Sequence, residues 1–193
     1  MATNPRPGEL FRLAAWAYLI LAILGVGWIG LQHQGVPLAL FLPARPVWLD
    51  PLAGGVAAAL LLLLWQGTRR WSLARRLEER LRERLGPLTA AEAYGLALLS
   101  SVAEEVFFRG AMQPAWGFPA ATLLFAGLHS GRGREMLVWT ASALAAGALL
   151  GGLMLWRGTL CAPILCHALV NAVQLRRLLT RVAAGGDSSG PQA

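Results

Sequence analysis

Five ionisable side chains sit in stretches of this sequence that are otherwise apolar: Glu104, Glu105, Arg109, His129 and His167. A charged residue at the centre of a membrane helix costs about 2.5–3.5 kcal/mol on insertion scales. Such groups therefore face one another or water, and are functional candidates by default. Their spacing assigns chemistry. Glu105 and Arg109 are four apart on one helix face and can form an internal ion pair. Glu104 is turned about 100° from Glu105, leaving it free of Arg109. A desolvated carboxylate beside an imidazole is a general base for water. His167 and Asn171, again four apart, form a paired donor site suited to a developing oxyanion. Phe125, one turn before His129, walls that imidazole.

The segments that hold these residues must be membrane helices. The 193-residue chain is 56% hydrophobic and 14% charged, against roughly 25% charged in soluble domains. Six apolar segments near the length needed for a crossing are expected: 13–31, 47–67, 88–112, a short 118–130, 136–156 and 159–175. The expected fold class is all-α, a polytopic transmembrane helical bundle of about six spans. It forms a single membrane-embedded domain over 1–183, with a motif-bearing core at about 88–175 and a disordered tail at 184–193. With Pro114–Gly117 as the outer turn, Glu104, His129 and His167 fall at similar depth, and Asn171 lies one turn beyond His167.

Every one of the 17 basic residues is Arg, which reads as GC-rich coding and points to a bacterial cell membrane. In the six-span arrangement 14 of them lie on the side of the termini and three (Arg45, Arg109, Arg157) on the other. The positive-inside rule then places both termini in the cytoplasm. This distribution also removes the reason to read the +7 net charge as a nucleic-acid signal. The loop from Thr68 to Gly86 repeats Leu73, Leu77, Leu81 and Leu85 among seven Arg and three Glu. An amphipathic interfacial helix touching anionic lipid of the inner leaflet is expected there, with Arg75–Glu79 and Glu78–Arg82 pairs. Cys161 and Cys166 point in different directions and serve as buried packing thiols, and His33 is a surface residue.

At Glu104-Glu105-Val106-Phe107-Phe108-Arg109, Phe125 to His129, and His167 to Asn171, the chain resembles the CAAX protease and bacteriocin-processing family. These are glutamic intramembrane proteases that include the type II CAAX prenyl endopeptidases, with motifs Glu-Glu-x-x-x-Arg, Phe-x-x-x-His and His-x-x-x-Asn. Flanking text, Phe108-Arg109-Gly110 and Gly158 to Ile164, is also similar. The resemblance covers about 100–173 and none of the N-terminal half. It implies an endopeptidase that cuts a membrane-associated peptide or protein. In that reading Glu104 is the general base, His129 orients and activates the water, His167 and Asn171 form the oxyanion hole, and Glu105 and Arg109 support them.

Other chemistries are weaker. Two His and a Glu could bind zinc, but there is no His-Glu-x-x-His and Asn is a poor zinc ligand, so no metal and no cofactor are expected. A proton-coupled transporter would use a Glu/His relay, yet the internal repeat typical of transporters is missing. A scaffold or immunity factor of the same fold, with the motifs kept for structure, is the alternative from another class.

Overall fold

The computed structural model describes residues 8–85 and 88–185, with side chains up to residue 179. Among them the secondary structure is helical: α1 (Glu9–His33), a short 3-10 turn (Leu38–Phe41), α2 (Leu49–Thr68), α3 (Ser72–Leu85), α4 (Ala90–Glu105), a π-helical stretch (Val106–Met112), α5 (Gln113–Leu128), α6 (Glu135–Arg157) and α7 (Cys161–Gly185). Several charged and polar side chains are inside while many leucines face outward. Arg109, Glu105, Asp50 and Ser101 are fully buried, whereas Leu13, Ile23, Leu63 and Leu155 are more than half exposed. That inversion is stable where the surroundings are lipid, because buried polar groups must pair and lipid accepts the leucines. The protein is a helical membrane bundle.

By length and composition α1, α2 and α6 each suffice to cross a membrane. α1 and α6 cover the expected spans 13–31 and 136–156, and α2 falls on the expected 47–67 but starts two residues later. The other expected spans are helical with shifted limits. Span three begins at a capping box, in which the Thr89 hydroxyl accepts from the Glu92 N–H and the Glu92 carboxylate accepts from the Thr89 N–H. Reciprocal bonds of this kind satisfy amides left free at a helix start. The helix then runs through the π stretch to Trp116. There Gly117, at φ 85° and ψ 162°, turns the chain back in a backbone region open essentially to glycine. Phe108 meets Phe125 across this turn, ring centroids 5.3 Å apart, so the two arms are antiparallel. The sixth segment runs well past 175, and α7 is still helical at Ala184 and Gly185. The remainder of the expected tail, 186–193, lies outside the described residues.

The helix directions follow from close contacts. Phe11 abuts Gly95 and Gly25 abuts Phe107, so α1 runs parallel to α4. Gly54 lies against Ala162 and Leu165, and Trp65 lines one small cleft with Gln174 and Leu178, so α2 runs parallel to α7. Gly147 meets Phe125 while Gly151 meets Phe118, so α5 and α6 are antiparallel.

The amphipathic helix forms at α3, and the middle of its leucine face packs on the protein. Leu77 is fully buried in a cluster with Trp65 and Met136, with Leu81 packed against it. The free ends of α2 and α6 offer apolar cover that a single sequence does not reveal. Charges follow: Glu78 pairs with Arg69 at 3.1 Å, and Arg80 bonds to Glu135 of α6. The expected Arg75–Glu79 pair does not form, and Arg75 donates instead to the Arg70 carbonyl at 2.8 Å.

Candidate active site

Three helices bring the predicted residues together. Glu104 and Glu105 end α4, His129 caps α5, and His167 lies in the second turn of α7. Arg109 follows in the π stretch, a local widening frequently found at functional sites. Glu105 and Arg109 form the expected pair at 3.0 Å, both essentially without solvent contact. Glu105 also accepts from a second partner that the i,i+4 reading missed. Its Oε1 lies 2.8 Å from His167 Nδ1. A carboxylate engaged by a guanidinium can only accept, so Nδ1 carries the proton.

Arg109 is held on its other side by the Gly147 carbonyl of α6 at 3.2 Å, and one turn on Gln113 donates to the Gly151 carbonyl at 3.1 Å. Each helical carbonyl has a second lone pair for such a bond. A side chain at either glycine would obstruct it: a Cβ at Gly147 would stand 3.1 Å from the Phe125 ring, and one at Gly151 2.8 Å from Gln113 Oε1. Phe125 is more central than a wall for one imidazole. Its ring lies 4.5 Å from His129, 6.0 Å from His167 and 4.3 Å from the Arg109 guanidinium.

Both imidazoles present the same atom to Glu104. His129 Nδ1 is 2.7 Å from the Phe125 carbonyl, which can only accept, so here too Nδ1 carries the proton. The Nε2 atoms of His129 and His167 each lie 3.9 Å from Glu104 Oε2. That oxygen is buried and has no hydrogen-bond partner among the described residues. Polar atoms separated by more than 3.5 Å are commonly bridged by water. Asn171 sits one turn beyond His167 and donates one amide N–H to Ser100 Oγ of α4 at 3.0 Å, leaving its second N–H. Ser100 and Trp139, whose ring lies 5.7 Å from His129, carried no signal in the sequence. Among the described residues no group of three or more His, Cys, Asp or Glu is arranged as a metal site.

A second buried polar cluster lies apart from this one. Asp50 of α2 is 1% exposed and accepts from Arg157, Thr159 and the Ala44 amide. Arg157 also donates to the Ala44 carbonyl at 2.9 Å. The Leu160 amide bonds the Leu40 carbonyl at 2.8 Å, and the Cys161 thiol the Phe41 carbonyl at 3.3 Å. Every member is paired, and the cluster fastens the α1–α2 loop over the α6–α7 turn. Asp50 falls inside the expected span 47–67, an acid in an apolar segment whose partners come from the α6–α7 turn and the α1–α2 loop.

Fold and site together define a helical membrane protein with a carboxylate and two imidazoles converging inside the bundle. Residues 86–173 match the family described as type II CAAX prenyl endopeptidase Rce1-like, the segment that holds all three motifs. An uncharacterized Bacillus subtilis (strain 168) protein, YpbD, is 38% identical over 80 residues, which is 40% of this chain and 41% of that protein. The similarity thus spans about two fifths of that relative's length. No solved structure matches the chain.

Proposed function

We propose that this protein is an intramembrane endopeptidase of glutamic type, hydrolysing a peptide bond in a membrane-associated substrate. The observation that carries the reading is Glu104 Oε2, without a hydrogen-bond partner among the described residues and 3.9 Å from the Nε2 atoms of both histidines. The family match supports the peptidase class. In this reading a water sits between the carboxylate and the imidazoles. Glu104 takes its proton as the oxygen attacks the scissile carbonyl, the step for which a desolvated carboxylate is suited. The carbonyl oxygen becomes an oxyanion. His167 in its protonated form offers Nε2–H to it while its Nδ1 stays on Glu105, and Asn171 offers its second amide N–H. Collapse of the tetrahedral intermediate breaks the C–N bond, and the proton held by Glu104 passes to the leaving amine.

The test is turnover of a candidate peptide by the purified protein in detergent. Glu104→Gln abolishes cleavage while the protein stays folded, and His129→Ala is nearly as severe. Asn171→Ala lowers kcat by about 10²–10³, the usual effect of losing one oxyanion donor. Phenanthroline leaves wild-type turnover unchanged. Full activity in Glu104→Gln ends this assignment, whereas folded protein that cleaves no peptide supports a scaffold of the same fold.

A further inference from the structure

The three motifs leave α1 out of the site, yet α1 runs beside α4 along most of its length. Three contacts set the register. Phe11 lies against Gly95, Gly25 is 3.0 Å, measured to an added Cβ, from the Phe107 backbone, and Gln32 Nε2 donates to the Ala111 carbonyl at 2.9 Å. Tyr18 is midway between Phe11 and Gly25, which places it level with the midpoint of Gly95 and Phe107, at about Ser101. Its hydroxyl accordingly neighbours Ser100 and Glu104, which are one turn apart on α4. Tyr18 is half-buried, and a phenol at membrane depth needs a polar partner.

Glu104 in turn needs something to hold its plane. The terminal torsion of a Glu side chain is broad and roughly two-fold. The histidine nitrogens at 3.9 Å are too far for direct bonds, and Arg109 is occupied by Glu105 and Gly147. We infer that Tyr18 is a positioning residue of the site: its phenol O–H donates to the Glu104 carboxylate and keeps Oε2 aimed at the gap between the imidazoles. Beside it Ser100, which receives the Asn171 amide, links the same phenol to the oxyanion donor. The catalytic part of this inference rests on the proposed hydrolysis; the Tyr18–Glu104 contact does not.

The sequence makes the contact separately measurable. Tyr18 and Tyr94 are the two tyrosines, so protein labelled with 3-fluorotyrosine gives two fluorine resonances, assigned by Tyr94→Phe. Glu104→Gln shifts the Tyr18 resonance and leaves that of Tyr94 in place. If Glu104→Gln does not fold, Glu104→Asp, which withdraws the carboxylate by one methylene, makes the same comparison. An unmoved Tyr18 resonance overturns the inference whether or not the protein cleaves anything. In the peptidase assay Tyr18→Phe lowers kcat roughly tenfold, as expected for a lost bond to a charged group, with KM and melting temperature unchanged. Wild-type kcat, or a fall in kcat matched by a lower melting temperature, refutes the positioning role. A wild-type protein without peptidase activity refutes the proposed function instead, and the fluorine comparison still decides the contact.

Discussion

Glu105 is where the internal electrostatics are concentrated. One buried oxygen accepts from both Arg109 and His167, so a single carboxylate compensates a guanidinium and fixes the proton on an imidazole. Removing one member of such a set leaves an uncompensated buried charge, at about 3–5 kcal/mol. Arg109→Ala is therefore expected to lower unfolding stability in detergent by that amount. The double variant Glu105→Gln/Arg109→Met, which removes both charges, recovers part of the loss. An unchanged melting temperature in Arg109→Ala refutes the pairing. Residues of this kind are legible in one sequence because an acid or base inside an apolar run is costly and must have a reason. Tyr18 and Ser100 are not legible in that way. A hydroxyl in an apolar helix is cheap, and its partner depends on how α1 and α4 are set against each other. His167 shows the same limit: its spacing to Asn171 was readable, but its bond to Glu105 is a tertiary contact.

Among the elements, α6 supplies no motif residue and yet sets the site's outer wall through two backbone carbonyls. Gly147 and Gly151 are four apart, matching Arg109 and Gln113 across the interface. Small residues at this spacing let helices approach closely in membranes. The prediction compares two substitutions that gain the same helix propensity. Gly147→Leu pushes a side chain into Phe125 and Arg109, whereas Gly152 has nothing within 4 Å of an added Cβ. Gly147→Leu is expected to lose about 1–3 kcal/mol to overpacking, together with most activity, while Gly152→Leu melts at or above the wild-type temperature. Equal melting temperatures for the two variants contradict the close approach of α6. The glycines are visible in the sequence, but Gly152 shares α6 with them, and only the structure separates the two that touch the site. In α3 likewise the leucine repeat was readable, but its cover, the ends of α2 and α6, was not.

For the whole molecule the packing directions bear on how many times the chain crosses the membrane. Among the described residues three helices qualify by length and composition. A chain that crosses six times must send its first and third segments one way and its second and sixth the other. The contacts that make α1 parallel to α4, and α2 parallel to α7, are those such a path requires. The arginines sort the same way in space. Arg69, Glu78 and Arg177 line one cleft, and Arg80 of α3 donates to the Arg132 carbonyl at 2.5 Å, so the basic loops gather at one end. The opposite end carries the Asp50–Arg157 clasp, with Arg157 hydrogen-bonded to the loop that contains Arg45. We propose that the basic end is cytoplasmic, since cytoplasmic loops carry the excess of Arg and Lys, and that its outward arginines meet anionic lipid at about 1 kcal/mol each. Reporter fusions at Arg80 and after Ala193 are expected to report cytoplasm, and a fusion at Arg45 the other side. A cytoplasmic signal at Arg45 removes the six-crossing path, because no odd number of crossings would then separate the α1–α2 loop from α3. The packing directions would have to be met instead by helices that enter and leave the membrane on the same face.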